Sequence, residues 1–324
     1  VKLSVFSIVD EVPGRDRYRD ILELAGAAEE AGLSGLWVAE HHFNPAGVCP
    51  SPPVLLAACG ARTRRLRLGA LVSVLPFHRP VDVAEEYSLL DRMMGGRVNL
   101  GLGSGYIPTE FEGFGIDPAS RHERFDAAYT TILELMAGRE VRIGGPGAPP
   151  VRLNVLPVQT PHPPLWIAVQ RREAIPFVAQ RGVSLALIPY ATVSGVEELA
   201  EEIREFRAAL PNGSRAEVAV AVHLYAGDHP ERAREALDRF LSSRLRTQST
   251  FYQAKAAHHP HEASRAGLEA ANLALLGTPS EVAHRLDAYR AAGVDEVLGI
   301  FDFGGLPIDD AVGSVRALGR DFVP

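Results

Sequence analysis

The feature that most restricts how this chain can fold is its alternation. Short apolar, β-like runs take turns with segments of helical spacing from one end to the other. The apolar runs fall at residues 2–9, 36–39, 66–74, 98–102, 165–169, 183–187, 217–225 and 294–300. Helical spacing occupies 18–31, 52–62, 81–94, 121–137 and 309–318. In the first helix Ile21, Leu22, Leu24, Ala25 and Ala28 share a face, and Gly32 stands where a left-handed C′ residue belongs. Gly95-Gly96 and Gly138 stop two later helices, while Thr278-Pro279-Ser280-Glu281 reads as a capping box with proline at its first helical position. Strands that each lead into a helix build parallel βαβ units, and eight of them point to a closed (β/α)8 TIM barrel rather than an open sheet.

The 324 residues suit a single barrel domain spanning 1–324, with insertions on strand–helix loops. Two segments break the rhythm: 139–164, rich in Gly and Pro, and 242–277, irregular and polar around His258, His259 and His261. With 46% hydrophobic residues and 23% charged, the composition is that of a globular protein. Two cysteines, Cys49 and Cys59, imply neither a disulfide framework nor a zinc motif and fit a reducing, cytoplasmic setting. A formal charge of −7 argues against nucleic acid or an anionic membrane as partner. No apolar stretch is long enough to span a bilayer. Val1 to Phe6 reads as a strand, not as a signal peptide.

In a parallel barrel the chemistry sits at the C-terminal ends of the strands. The second strand runs into Glu40-His41-His42-Phe43. Successive side chains of an extended segment point opposite ways, so one imidazole should face the mouth, where it can move a proton or donate to a developing oxyanion. A surface histidine pair is the plainer alternative, and a metal site is disfavoured because adjacent ligands converge poorly on one ion. The run Leu75-Pro76-Phe77 after the third strand offers an apolar wall or simple core. Gly101-Leu102-Gly103-Ser104-Gly105-Tyr106 permits close backbone approach to a ligand. It lacks the third glycine of a dinucleotide fingerprint, and Pro108 with a loop is expected to follow. Gln170-Arg171-Arg172 after the fifth strand could hold phosphate at a helix start, or be solvated. Asp302 after the last strand either faces the mouth or caps the next helix.

Several strings in order carry a family likeness. Trp37 to Phe43, Arg64 to Gly69, Leu75-Pro76 with His78 to Val81, Leu89 to Met93 with Gly96-Arg97, Gly101 with Gly103 to Tyr106, and Phe114-Gly115 through Arg121 to Phe125 together resemble the bacterial luciferase-like flavin monooxygenases, as does Gly277-Thr278-Pro279. The likeness is dense over 1–138 and patchy beyond.

The resemblance implies a barrel that binds reduced flavin at its mouth and dimerises through its early helices, here 52–62 and 81–94. It implies either reduced FMN with oxygen, supplied by a separate flavin reductase, or the deazaflavin F420 for hydride transfer. The Glu-His-His-Phe string looks like the FMN branch. On this likeness His41 would assist the C4a-peroxyflavin chemistry that oxygenates a small organic substrate. Leu71-Val72 would form a non-prolyl cis peptide against the ring. Glu40, Gly103, Ser104 and Tyr106 would line the ring side, and Gln170 with Arg171 or Arg172 the phosphate end. Light-emitting relatives carry Cys and Arg where this chain has Gly103 and Ser104, which speaks against light emission. An F420-dependent oxidoreductase and a non-catalytic flavin-binding protein are the rival readings.

Overall fold

A computed structural model describes residues 1–44, 47–144, 147–247 and 264–322. All eight expected strands form, and they close. In chain order they are β1 (Lys2–Ser7), β2 (Gly35–Val38), β3 (Arg67–Val74), β4 (Val98–Gly103), β5 (Leu165–Val169), β6 (Ser184–Leu187), β7 (Val218–Ala226) and, last, β9 (Glu296–Ile300). Each pairs in parallel with its neighbour, β7 pairs β9, and β9 returns to β1. The result is the (β/α)8 barrel that the alternation implies.

A ninth strand corrects the reading of 242–277 as wholly irregular. β8 (Ala274–Gly277) pairs with His223–Ala226 of β7, beyond the Val218–Val220 stretch that β6 covers. Four residues are too few to show a period, so nothing in the string distinguishes them from a loop. His258, His259 and His261 lie outside the described residues.

The helices follow the strands: α1 (Arg17–Ala31), α2 (Pro52–Arg62), α3 (Pro80–Met93), α4 (Pro108–Phe114), α5 (Arg121–Met136), α6 (Ile175–Gln180), α7 (Val196–Ala209), α8 (Pro230–Thr247), α9 (Arg265–Ala270), α10 (Pro279–Ala291) and α11 (Ile308–Phe322). Their ends are chemically marked. Asp16 caps α1 by accepting from Arg19 N, Gly32 closes it with φ 75°, and Thr278 with Glu281 completes the capping box of α10. Among the described residues no helix is long and apolar enough to cross a membrane.

Inside the barrel the period of two assigns inward positions. Glu296 reaches Ser4 Oγ at 2.5 Å and Trp37 Nε1 at 3.1 Å, so these side chains share the interior. Trp37 meets Trp166 edge-on, with centroids 5.4 Å apart, and the two indoles fill the lower barrel. Gly69 has to lack a side chain here, because a Cβ would lie 2.2 Å from Trp37 Cε3. Above the indoles the inward residues of β4 to β7 are small. Register places Gly101 beside Trp166, Ala168 beside Ala186, and Ala221 one step above Ala219 on the face shared with Glu296.

Candidate active site

The turn after β2 splits its two histidines. His41 Nδ1 lies 3.0 Å from Glu110 Oε1, which also accepts from His42 N at 2.9 Å and from Asn44 Nδ2 at 3.3 Å. Its backbone N–H donates to Cys49 O. Gly47 closes over the ring: a Cβ there would sit 2.5 Å from His41 Cδ2. With Nδ1 taken by a carboxylate, the tautomer and orientation of the imidazole are set, and Nε2 is the nitrogen left for a ligand. The Tyr106 ring stands edge-on to His41 at 6.5 Å.

His42 turns the other way. Its Nε2 reaches Glu40 Oε1 at 3.0 Å, and His78 Nε2 reaches the same oxygen at 2.8 Å. Val74 N donates to Glu40 Oε2 at 3.2 Å. Burial pushes the Glu40 carboxyl upward, but the hydrogen bonds and charges of His42 and His78 outweigh it and hold it below its ordinary range. His78 loses basicity by burial and regains more from Glu40, so it ends above its ordinary value. Phe43, Phe77 and Phe114 box in the His42 ring, with Phe114 edge-on at 4.8 Å. Phe77 is therefore part of this aromatic box and not a free wall for a ligand. Glu40, His42 and His78 bring three potential metal ligands within 4.8 Å of one another. Their hydrogen bonds already satisfy the atoms involved. Both oxygens of the buried Glu40 are thus engaged by protein, and the carboxylate ties the turn to His78 and Val74.

The Leu71–Val72 peptide is cis, at the place the resemblance implies. The β3–β4 register shifts between Ala70 and Ser73, so this pair bulges from the ladder. The glycines of β4 make room for it. A Cβ on Gly101 would lie 2.2 Å from Ala70 O, and one on Gly103 would lie 2.4 Å from Val72 Cγ2. Val72, Ser104, Tyr106, Ala168, Gln170 and Ile188 are half-buried although they belong to β3–β6 or directly follow them. These adjacent strands therefore present a contiguous, uncharged, partly open strip, and Tyr106 ties it to His41. Leu71 and Gly103 are buried beneath it.

One expectation fails nearby. Pro108 does not begin a loop; it is the first residue of α4. Proline is favoured at that position because its missing N–H would be unpaired there anyway. Helix α4 then carries Glu110 to His41, a functional residue the sequence reading missed. Its signal was present, as an acidic residue in the first turn after a helix-starting proline. Farther round, Arg172 pairs with Glu205 of α7, with Nε donating to Oε2 at 2.9 Å. Arg171 is exposed, and its guanidinium has no partner among the described residues. Asp302 caps no helix: Oδ2 accepts from Ser7 Oγ at 2.5 Å and from Arg17 at 2.8 Å, joining β9 to β1 and α1.

The chain is 39% identical over 179 residues to the uncharacterized protein y4wF of Sinorhizobium fredii, covering 55% of this chain and 52% of that one. It thus spans about half the length of that relative. It is 26% identical over 309 residues to the oxygenase component of the flavin-dependent trigonelline monooxygenase of Acinetobacter baylyi, covering 89% and 84%. Among solved structures, the fold matches the monooxygenase RslO1 of Streptomyces bottropensis (TM-score 0.84, 23% identity, 100% and 99% covered). It also matches the FMN complex of the oxygenating constituent of 3,6-diketocamphane monooxygenase of Pseudomonas putida (0.82, 17%, 100% and 98%). A third match is the F420-dependent tetrahydromethanopterin reductase of Methanopyrus kandleri (0.74, 16%, 100% and 99%). At these identities the structures speak for the fold alone. The family model of the luciferase-like monooxygenases matches residues 3–296, nearly the whole chain, and the protein belongs to that family.

Proposed function

We propose that this protein is the oxygenase component of a two-component, reduced-FMN-dependent monooxygenase that acts on a small organic substrate in the cytoplasm. The observation that carries the reading is the Glu110-held imidazole of His41 beside the uncharged strip from Val72 to Ile188. That strip fits a flat ring: its side chains are uncharged, it is partly open, and exposed Arg171 stands at its edge for a phosphate. Full-length likeness to an oxygenase component supports a separate flavin reductase as partner.

Reduced FMN, when bound, supplies the two electrons with which one atom of O2 enters the substrate and the other leaves as water. The chain's own residues do the rest. His41, locked through Nδ1, holds or delivers a proton at Nε2. Leu71, Val72 and Tyr106 keep water from the reacting face. Gln170 and Arg171 hold the polar end, Arg171 by charge. Glu40 keeps His42 and His78 from drifting into the site.

Titration with reduced FMN and reduced F420 under argon tests the cofactor. Quenching of tryptophan emission by FMN, with none by F420, is expected. The reverse would install the F420-dependent hydride-transfer reading. Failure of both to bind would remove flavin chemistry altogether.

A further inference from the structure

The interior wall formed by β7 holds an imidazole that the chemistry above does not use. His223 is fully buried. Ala219 sits in register with Glu296, whose carboxylate meets Ser4 and Trp37 inside the barrel, so Ala219, Ala221 and His223 all face inward. His223 is the uppermost of the three. Neither Nδ1 nor Nε2 has a hydrogen-bond partner among the described residues. Around it stand the rings of Tyr190, Phe240 and Phe303, at 4.9, 4.7 and 5.1 Å. Burial first, and the nearby positive charge of Arg244 second, push its pKa down to about 3. The ring is therefore neutral at working pH and offers one N–H donor and one acceptor lone pair.

Two orphaned nitrogens in an aromatic box are destabilising, and a phenylalanine would fill the same space without that cost. A cleft of about 640 Å³ lies on the other side of this box. Phe240 lines the cleft and touches the imidazole; Arg244 lines it too, and Gly304, next to Phe303, forms another part of its wall. Phe240 stands between the cleft and a donor and an acceptor that have no partner among the described residues.

We propose that His223 is a substrate-binding residue that hydrogen-bonds an uncharged oxygen, a hydroxyl or carbonyl, carried on an apolar ring entering from the cleft past Phe240. The word substrate rests on the monooxygenase reading; the binding itself does not. The aromatic walls select the apolar body and the neutral imidazole selects the oxygen; the acidic and basic side chains of the cleft, Asp10, Glu11 and Asp238 with Arg239 and Arg244, lie outside the box and choose no charge for the ligand.

The test uses flavin-free protein with 15N-labelled histidine and three probes of similar size: phenol, cyclohexanone and cyclohexane. Phenol or cyclohexanone should shift the ring nitrogen signals of His223, assigned by their loss in His223→Phe, and cyclohexane should not. In His223→Phe the oxygen-bearing probes should bind about tenfold more weakly, the loss of one modest hydrogen bond, while cyclohexane binds as before and Tm stays level or rises. His223→Gln, which keeps a donor and an acceptor, should restore most of the affinity. No ring shift with any probe, or equal binding of all three by both proteins, would overturn the proposal and leave His223 as packing. So would a fall in Tm in His223→Phe with probe binding unchanged, which would reveal a fixed internal partner. Because no flavin is present, these outcomes are independent of whether FMN or F420 binds.

Discussion

At the scale of single residues, the site depends on one carboxylate whose partners are remote in sequence. His41 was legible from its position after a buried strand, where alternation obliges one of two histidines to face the mouth. Glu110 was not, because it stands 69 residues away and only the closed barrel brings it to 3.0 Å. The pairing makes a graded prediction. His41→Ala should lower the fraction of oxygen delivered to substrate by about a hundredfold, the scale of a lost general acid or base. Consumed oxygen should then be recovered as hydrogen peroxide. Glu110→Gln keeps the shape and the acceptor but loses the charge, so its peroxide yield should fall between wild type and His41→Ala. Peroxide assay against oxygen-electrode traces checks both, and unchanged yields would remove His41 from the chemistry.

At the scale of elements, amphipathic spacing located the long helices and strands, while short pieces escaped. β8 has four residues, and α4 was hidden by reading its opening proline as a breaker. Helix α7 carries a feature that no periodicity shows. Glu202 is buried on its inner face, and its Oε2 has no partner among the described residues. Burial foremost, then Glu198 and Glu205, raises its carboxyl from 4.5 to about 7, against the pull of Arg172. The folded state therefore holds this proton more tightly than the unfolded chain does. The stabilisation that gives is complete below pH 4.5 and is lost as pH rises through about 7. Glu202→Gln cannot ionise, so its Tm should fall less than that of wild type over this window. Differential scanning calorimetry across the range decides, and parallel curves would mean that Glu202 does not govern the slope.

At the scale of the whole molecule, eight strands alternating with helical segments pointed to a barrel, because eight parallel strands are the number that closes a TIM barrel. Closure of the barrel leaves the outer helices to deal with solvent. Neighbouring α2 and α3 leave Val54, Leu89 and Met93 at 71%, 49% and 61% exposure. Large apolar side chains left exposed on neighbouring helices can serve association, and we propose that two copies of the chain pair through α2 and α3, as the family resemblance implies. Leu89→Asp with Met93→Asp should shift the mass measured by light scattering from two chains to one and leave the far-ultraviolet dichroism intact. A wild type that runs as a monomer at all concentrations would end this proposal.

Glu40 has a mechanical consequence. One buried carboxylate grips His42 at the end of β2, His78 beyond β3, and the backbone of Val74 beside the bulge. It acts as a rivet through two adjacent staves, so the histidine turn and the cis-peptide bulge cannot be adjusted independently. A change that tilts one drags the other. Along β7 to β9 no such rivet joins the strand ends to the histidine turn among the described residues, so that side of the barrel can change shape without pulling on the turn.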